Sequence, residues 1–569
     1  MKAWLFLCLF GFAAPLAGQN SGSQAAAADQ VWLSGRIYTM DPAQPWAEAM
    51  AVQAGELMAV GQNQDVSAWI GPQTKVHDLQ NHLVLPGLHD VHSHFLEAFH
   101  TAWTCYLPPG WSPEDYIPLI RFCAWFQLGT HWVLGYGYRF EDMVRHLAAG
   151  GRSPVEILDD AVPNRPALML EETSHSVWVN SAALQALGFH AGSQDPPGGR
   201  ILRNPVTGEP NGLLLDGAGE MAQDLAFQPN PALMDLNVQA LRNGLKELAK
   251  NGITSACDAR AHWRRGFLEA YDQAETEGWL SARVNLGLWV YPYLQDDSQI
   301  TQLKSFYRSN PGALLQRSQI KIYADGEVGH TTAAVLQNYI TPVHFADPDG
   351  LNYYNKDRLQ HFITELEVEG FDFHIHTIGN RGVREALDAI AGAAAANGPM
   401  DRRHRLTHCE LIHPADLPRF VQLGVTGDFQ MSSHYVRNTS ALQRWYDFFL
   451  GLGTGAREAF RLRDLWDSGA NVVLSSDYDV GPMSPFVGME NALLRTDQAL
   501  PDLAAAIRAY TVNPAWLMRQ EHLVGSLEVS KRADFVVLDR DLFQIPVSEI
   551  GETQVLVTVV DGRVVYLKP

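Results

Sequence analysis

The chain has 569 residues, 46% hydrophobic and 18% charged, a composition that supports a large buried core and is unlike that of disordered or fibrous chains. Its formal net charge of -21 opposes nucleic acid or anionic membrane as a partner, because both are held by basic patches that displace counterions. Small molecules or peptides are the partner class left.

The first residues, MKAWLFLCLFGFAAPLAG, combine a lysine, an apolar run and small residues near Ala17 and Gly18, and read as a secretory signal over residues 1–18. The apolar run is shorter than the roughly 20 residues of a spanning helix, so the expectation is a secreted or periplasmic protein with no stable membrane insertion once the signal is removed. Residues 19–28, rich in Ser, Gly and Ala, read as a flexible leader. The remaining cysteines, Cys105, Cys123, Cys257 and Cys409, are too few for a disulfide scaffold. An oxidising compartment would allow Cys105 and Cys123 to pair, while Cys257 and Cys409 sit in strand-like runs and read as small buried hydrophobes.

Short strand patterns follow in VWLSGRIYTM and AMAVQAGELMAVG, and others close the chain in ADFVVLD and QVLVTVVDGRVVY, where Asp561-Gly562 is a hairpin signal. Isolated hairpins are marginal in water, so residues 29–86 and 516–569 are expected to pair into one small β-sandwich built from both termini. Residues 87–515 differ. NVQALRNGLKELAKNG carries Val238, Leu241, Leu245 and Leu248 at helical spacing and runs into the strand ITSACDA. QIKIYADG, FDFHIHTIG, HRLTHCE, GVTGDFQMSS and NVVLSSDY also read as strands, with a helical GVREALDAIAGAAAA after the second. Repeated strand and helix predict an α/β fold, a (β/α)8 TIM-type barrel. An open doubly wound sheet is the other candidate, weakened by the lack of a Gly-rich phosphate loop after the first strand. Residues of about 100–226 are too many for a simple connection, and predict a capping insertion after the first barrel strand. Its aromatics, Trp103, Tyr106, Trp111, Trp125, Trp132, Tyr136 and Tyr138, either line a substrate pocket or pack the cap itself.

The chemistry gathers at strand ends. In VLPGLHDVHSHF, His92 and His94 stand two apart in an extended run, so both imidazoles project from one face. Lys321, His376, His408 and Asp477 lie on or just beyond later strands, and in a barrel the C-terminal strand ends open on one mouth. Taken singly each is more often structural; together this nitrogen- and oxygen-donor set suits one or two divalent metal ions, zinc or a neighbour of zinc.

The ordered motifs PGLHDVHSH, SHSVWVNSAAL, DPPGGRILRNPVTGEPNGLLLD, NGITSACDA, IKIYADGEVG, HTIGNRGVREALDAI, SSDYDVGPMSPF, YTVNPA and GSLEVSKRADFVVLD resemble the amidohydrolase superfamily, in its YtcJ-like branch, across essentially the whole mature chain. The resemblance implies a metal-bearing barrel with His92 and His94 as first-strand ligands, Lys321 as the fourth-strand lysine, His376 and His408 as the fifth- and sixth-strand histidines, and Asp477 as the eighth-strand aspartate. It also implies a carbamate on Lys321, since an ammonium cannot coordinate a metal. His175 and His434 match recurring family positions and are candidates for substrate contact; each has an ordinary structural histidine as its alternative. His374 shares a face with His376 but does not match the ligand motif, so it is expected behind the ligands. The chain departs from the family at Asn380, where Asp commonly follows HAIG, and at His330 and Thr331, where Ser-Arg often follows DGALG. These changes leave the ligands intact and detach the substrate from inheritance.

The implied reaction is metal-dependent hydrolysis of an amide-type carbon–nitrogen bond in an N-acyl, N-formyl or cyclic amide. A metal lowers the pKa of bound water, and Asp477 takes the proton and returns it to the leaving nitrogen. Ester or lactone hydrolysis at the same site, and a secreted binding protein without turnover, are the alternatives. The expected partner is a small-molecule substrate, and a homo-oligomer is compatible with the pattern.

Overall fold

The computed structural model describes residues 27–101, 104–310, 312–343 and 347–569; the expected signal, the leader up to residue 26, and Trp103 lie outside them. Eight strands form one parallel sheet: β1 (Leu88–Ser93), β2 (Ile253–Ala261), β3 (Arg283–Trp289), β4 (Leu315–Tyr323), β5 (Asp372–Thr377), β6 (Arg405–His408), β7 (Thr426–Gln430) and β8 (Val472–Ser475). Spatial order follows chain order. Just past β1 and β8 the backbone closes the ring, with Asp477 N donating to His92 O at 2.8 Å and His94 N to Tyr478 O at 2.7 Å. The architecture is therefore the expected (β/α)8 barrel.

Every residue of β1 and β2 is buried, because one face of each strand fills the barrel and the other meets helices. Such strands lose the polar–apolar alternation of a half-solvated sheet, which is why ITSACDA reads as a continuous run. The helix Pro231–Lys250 before β2 starts where the Asn230 side chain accepts from Leu233 N at 3.1 Å and where proline occupies the first turn. It buries Leu241, Leu245 and Leu248. It gives way to Gly252, whose φ of +76° suits glycine and whose added Cβ would stand 3.0 Å from Val536.

Below the barrel, strands from both ends of the chain share one sheet: Phe535–Leu538 lies antiparallel to Leu83–Pro86, and Val555–Val560 pairs with Arg563–Leu567 across the Asp561-Gly562 turn. Both turn residues have positive φ, 49° and 70°, as a type I′ hairpin requires. A second sheet, of Gln30–Leu33, Ala49–Gln53, Glu56–Gly61 and Lys75–Asp78, completes the sandwich. Arg283 at the foot of β3 ties it to the barrel. Its buried guanidinium donates to Asp534 at 2.8 Å and also meets Asp561.

Above the barrel, the insertion forms a mixed six-stranded sheet in the order Gly199–Arg203, Pro210–Asp216, Ser176–Val179, Ala167–Glu171, Val133–Tyr138, Cys105–Tyr106. Apolar clusters cover both faces, one around Trp178 and Tyr138, the other around Trp132 and Leu214. A Cys105–Cys123 disulfide joins the edge strand to the helix Ile117–Phe126. Cys257 and Cys409 are free and buried. No helix among the described residues is long and apolar enough to cross a membrane.

Arg283→Ala would leave Asp534 buried without its counter-charge. Removing one partner of a buried pair typically costs about 3–5 kcal/mol, so the urea midpoint should fall sharply, while a surface control such as Arg463→Ala should stay near wild type.

Candidate metal centre

The barrel mouth brings the expected ligands together. His92 Nε2 lies 3.3 Å and His94 Nε2 3.2 Å from Asp477 Oδ1. In a tetrahedral zinc site with ligands about 2.0–2.1 Å from the ion, neighbouring donor atoms stand roughly 3.3 Å apart. The two measured edges therefore have the spacing of metal ligands, which fits a divalent cation to these residues. His408 joins from the end of β6, its Nδ1 4.0 Å from Asp477 Oδ2 and its ring centroid 4.4 Å from that of His376. His376, 1% exposed, has no hydrogen-bond partner at either ring nitrogen among the described residues, a costly state for a buried polar group unless a ligand fills it.

Local backbone geometry aims these side chains. Asp477 and His408 adopt positive φ, 53° and 69°, sparsely populated for non-glycine residues and common where a site holds strain. His92 Nδ1 is hydrogen-bonded to Thr407 Oγ1 at 2.6 Å. With the proton on Nδ1, the Nε2 lone pair faces Asp477, the tautomer a metal ligand needs.

Burial pushes the His92 and His376 imidazoles well below their usual range and His408 down to about 3, so all three are neutral donors at physiological pH. Burial pushes the Asp477 carboxyl up, but its close approach to the imidazoles of His92 and His94 outweighs this and holds it well below the usual carboxylate range. Lys321, fully buried on β4, has Nζ 3.3 Å from His92 Nε2 and 3.4 Å from His374 Nε2. Burial lowers its ammonium to about 7 against the opposing pull of Asp477.

His374 lies beneath this layer, as its place in the motif implied: Arg405 donates to its Nδ1 at 2.6 Å. Several neighbours of the site were not singled out from sequence. Asp428 on β7 stands 3.5 Å from Arg405 Nε and 3.9 Å from His374 Nε2. Gln430 donates to Thr407 Oγ1 at 3.0 Å. Glu97, three residues after His94, stands 3.8 Å from His94 Nδ1 and is gripped by Arg260 of β2 at 3.0 Å. None of the three belongs to a local motif that would mark it.

The mouth opens into a cavity of about 1060 Å³ beneath the cap. Tyr106, Tyr136 and His175 reach it from the cap, and Glu327, Glu410 and Trp445 from barrel loops. Of the other cap aromatics, Trp132 and Tyr138 are buried in cap cores, whereas Trp111 and Trp125 are exposed. His175 Nδ1 is bonded to Asp216 Oδ1 at 2.8 Å, and its Nε2 stands 3.5 Å from Glu327 Oε1. His434 begins the one-turn helix His434–Arg437; its side chain lies outside the described residues. His330 stacks on Phe140 with centroids 4.3 Å apart and lines the cavity. Thr331 is buried, and Asn380 bridges Leu336 N and Glu458, a packing role.

The Amidohydrolase family profile matches residues 75–566. The chain is 26% identical to the N-substituted formamide deformylase of Arthrobacter pascens, over 95% of this chain and 98% of that one. It is also 26% identical to the putative amidohydrolase YtcJ of Bacillus subtilis, over 95% and 99%. An uncharacterized metal-dependent hydrolase from Pyrococcus horikoshii superposes with a TM-score of 0.70 at 20% identity, over 91% of this chain and 99% of that one, which shows a shared fold.

Thr407→Ala removes the partner that orients His92 without touching a ligand. Losing such support typically weakens metal binding about 10–100-fold, and zinc competition against a chromophoric chelator should show a loss of that size.

Proposed function

The chain belongs to the amidohydrolase family, and from that membership we propose that it is a metal-dependent hydrolase of an amide-type carbon–nitrogen bond, in an N-acyl, N-formyl or cyclic amide, with zinc as the expected metal. One observation carries the reading: two imidazole nitrogens and one carboxylate oxygen converge at ligand spacing on the floor of a substrate-sized cavity. The deformylase relative, which acts on N-substituted formamides by its name, favours the N-formyl class.

A divalent cation held by His92, His94 and Asp477 supplies Lewis acidity and lowers the pKa of water from about 15.7 to about 7. The chain's own residues do the rest. Asp477, anionic and at the cavity floor, accepts the proton from attacking water and returns it to the departing nitrogen. His408 and His376 add neutral donors beside it. Tyr323, stacked on His376 with centroids 4.1 Å apart, and Trp445 wall the cavity from bulk water.

Lys321 has the chemistry for a carbamate. Its neutral amine adds to carbon dioxide, forming a carbon–nitrogen bond and releasing one proton, and the product is an anionic oxygen donor. Only the neutral form reacts. Because burial lowers this lysine to about 7, the reactive fraction grows as pH rises through that value, far below the range of an exposed lysine. Carbon-13 bicarbonate should therefore give a protein-bound carbamate resonance that strengthens through about pH 7 and is missing in Lys321→Ala. Export is proposed as well; the Cys105–Cys123 disulfide suits an oxidising compartment.

Turnover tests the assignment. Zinc-reconstituted protein should cleave N-formyl or N-acyl amides, and Asp477→Asn should lose about 10²–10⁴-fold in kcat, the usual contribution of a positioned acid–base. Hydrolysis of matched esters with no cleavage of any amide would refute the carbon–nitrogen reading.

A further inference from the structure

The cavity wall carries more carboxylates than the metal centre employs. Among the described residues two guanidiniums and no lysine line it, and both guanidiniums are already paired: Arg139 donates to Glu172 at 2.8 Å and Arg260 to Glu97 at 3.0 Å. Glu141, Glu171 and Glu410 line the same wall. Glu171 accepts from Thr173 Oγ1 at 2.6 Å and Glu410 from Tyr446 Oη at 2.5 Å, but no lysine or arginine pairs with any of the three among the described residues. Glu327 in turn faces Glu410, Asp477 and Glu171. A divalent ion at His92, His94 and Asp477 would answer Asp477 and leave the rest of the wall without a counter-charge. From this wall, and from a slot beside Trp445, we propose that the substrate is a cationic amide whose non-reacting end carries an ammonium group held by Glu141 and Trp445. The proposal deepens the carbon–nitrogen hydrolase reading and rests on it.

A glycine makes the slot. A Cβ added at Gly329, in the loop after β4, would stand 3.0 Å from Glu141 Oε1 and 3.7 Å from Trp445 Cζ2, so the bare backbone there leaves a carboxylate and an indole close to one open point. Glu141 comes from the first turn of the cap helix Phe140–Ala148, and Trp445 from the helix Thr439–Leu450. A carboxylate beside an indole suits an ammonium group, because the ring attracts a cation through its quadrupole and the carboxylate through its charge. Tyr446 packs on Trp445 with centroids 5.0 Å apart and donates to Glu410. That bond brings a second carboxylate to the same wall, two residues beyond His408.

Gln430 gives an independent sign of a donor-bearing ligand. It is 7% exposed and lines the cavity. Its Nε2 donates to Thr407 Oγ1 at 3.0 Å and to Ser475 Oγ at 2.8 Å, while its Oε1 has no hydrogen-bond partner among the described residues. A buried carbonyl oxygen left unpaired is unfavourable, and its complement is an N–H donor, which an amide nitrogen or an ammonium group supplies. Burial lifts the Glu171 carboxyl to about 8, and a cation beside it would favour its charged form. The same wall sets what the cavity rejects: a substrate ending in a carboxylate would meet like charge.

Matched probes test the charge rule. Three N-alkyl formamides of equal chain length, ending in an ammonium, a methyl or a carboxylate group, share the reacting end and differ only at the far one. Zinc-reconstituted wild type should favour the ammonium over the methyl compound by about tenfold in kcat/KM and turn over the carboxylate compound least. Glu141→Gln should lower the ammonium-to-methyl ratio by about the same factor through KM, and Glu141→Asp should restore part of it. Both substrates are read on one preparation, so the ratio does not depend on how much of a variant folds. Calorimetry with n-pentylammonium chloride, against n-pentanol as the neutral control, reads the slot without turnover: the ammonium should bind wild type more tightly than the alcohol and lose that advantage in Glu141→Gln. The proposal is overturned if the methyl or carboxylate compound is cleaved as well as the ammonium one, or if Glu141→Gln changes neither the ratio nor the ammonium affinity. Ammonium binding with no cleavage of any amide would support the cationic slot and overturn the hydrolase reading instead.

Discussion

Closure of the barrel between β1 and β8 is the constraint on which the site depends. The hydrogen bonds from Asp477 N to His92 O and from His94 N to Tyr478 O complete the ring and at the same stroke place three candidate ligand side chains. Asp90 on β1 reinforces the seam by accepting from Ser476 N at 3.1 Å and from the Ser476 hydroxyl. The same backbone bonds that satisfy strand edges thus set the positions of His92, His94 and Asp477 before any ion or substrate arrives. Held this way, these side chains would lose little conformational freedom on binding an ion, the general advantage of preorganisation.

The seam would be unaffordable without the polar layer beneath it. Lys321, His374, Arg405 and Asp428 are all fully buried, and isolated charges in such surroundings are strongly disfavoured. They are made tolerable by mutual pairing: Arg405 reaches His374 and Asp428 and donates to Val91 O at 2.8 Å, while Ser475 donates to Asp428 at 2.6 Å. The network underlies the candidate metal-binding imidazoles, and the Thr407 bond to His92 orients one of them directly.

The cap converts a shallow barrel mouth into an enclosed reaction space. Its own sheet, apolar clusters and disulfide give it a core separate from that of the barrel, so it can present His175, Tyr136 and Tyr106 on a rigid frame. Charged contacts moor it: Arg200 donates to Asp347 at 2.6 Å from both Nε and Nη2, and Tyr353 reaches Asp216. Site chemistry and substrate access are in this way assigned to different parts of the chain, a division common to barrels whose loops carry specificity.

Much of this architecture is local information. The period-two placement of His92 and His94, the helical spacing of Leu241, Leu245 and Leu248, the Asp561-Gly562 turn and the recurrence of strand and helix each follow from side-chain direction and backbone preference within a few residues, so the barrel and its proposed ligands were legible in the chain itself. What tertiary structure decided lies at long range. Arg260 meets Glu97 across 163 positions, and Arg405 meets Val91 across 314. His175 meets Glu327 only because the cap folds back over the mouth. A lone Asp428, Thr407 or Glu327 has no periodicity to reveal its role, since whether a polar residue is buried against a partner or solvated depends on strand register and cap docking, and these are set by the packing of the whole chain.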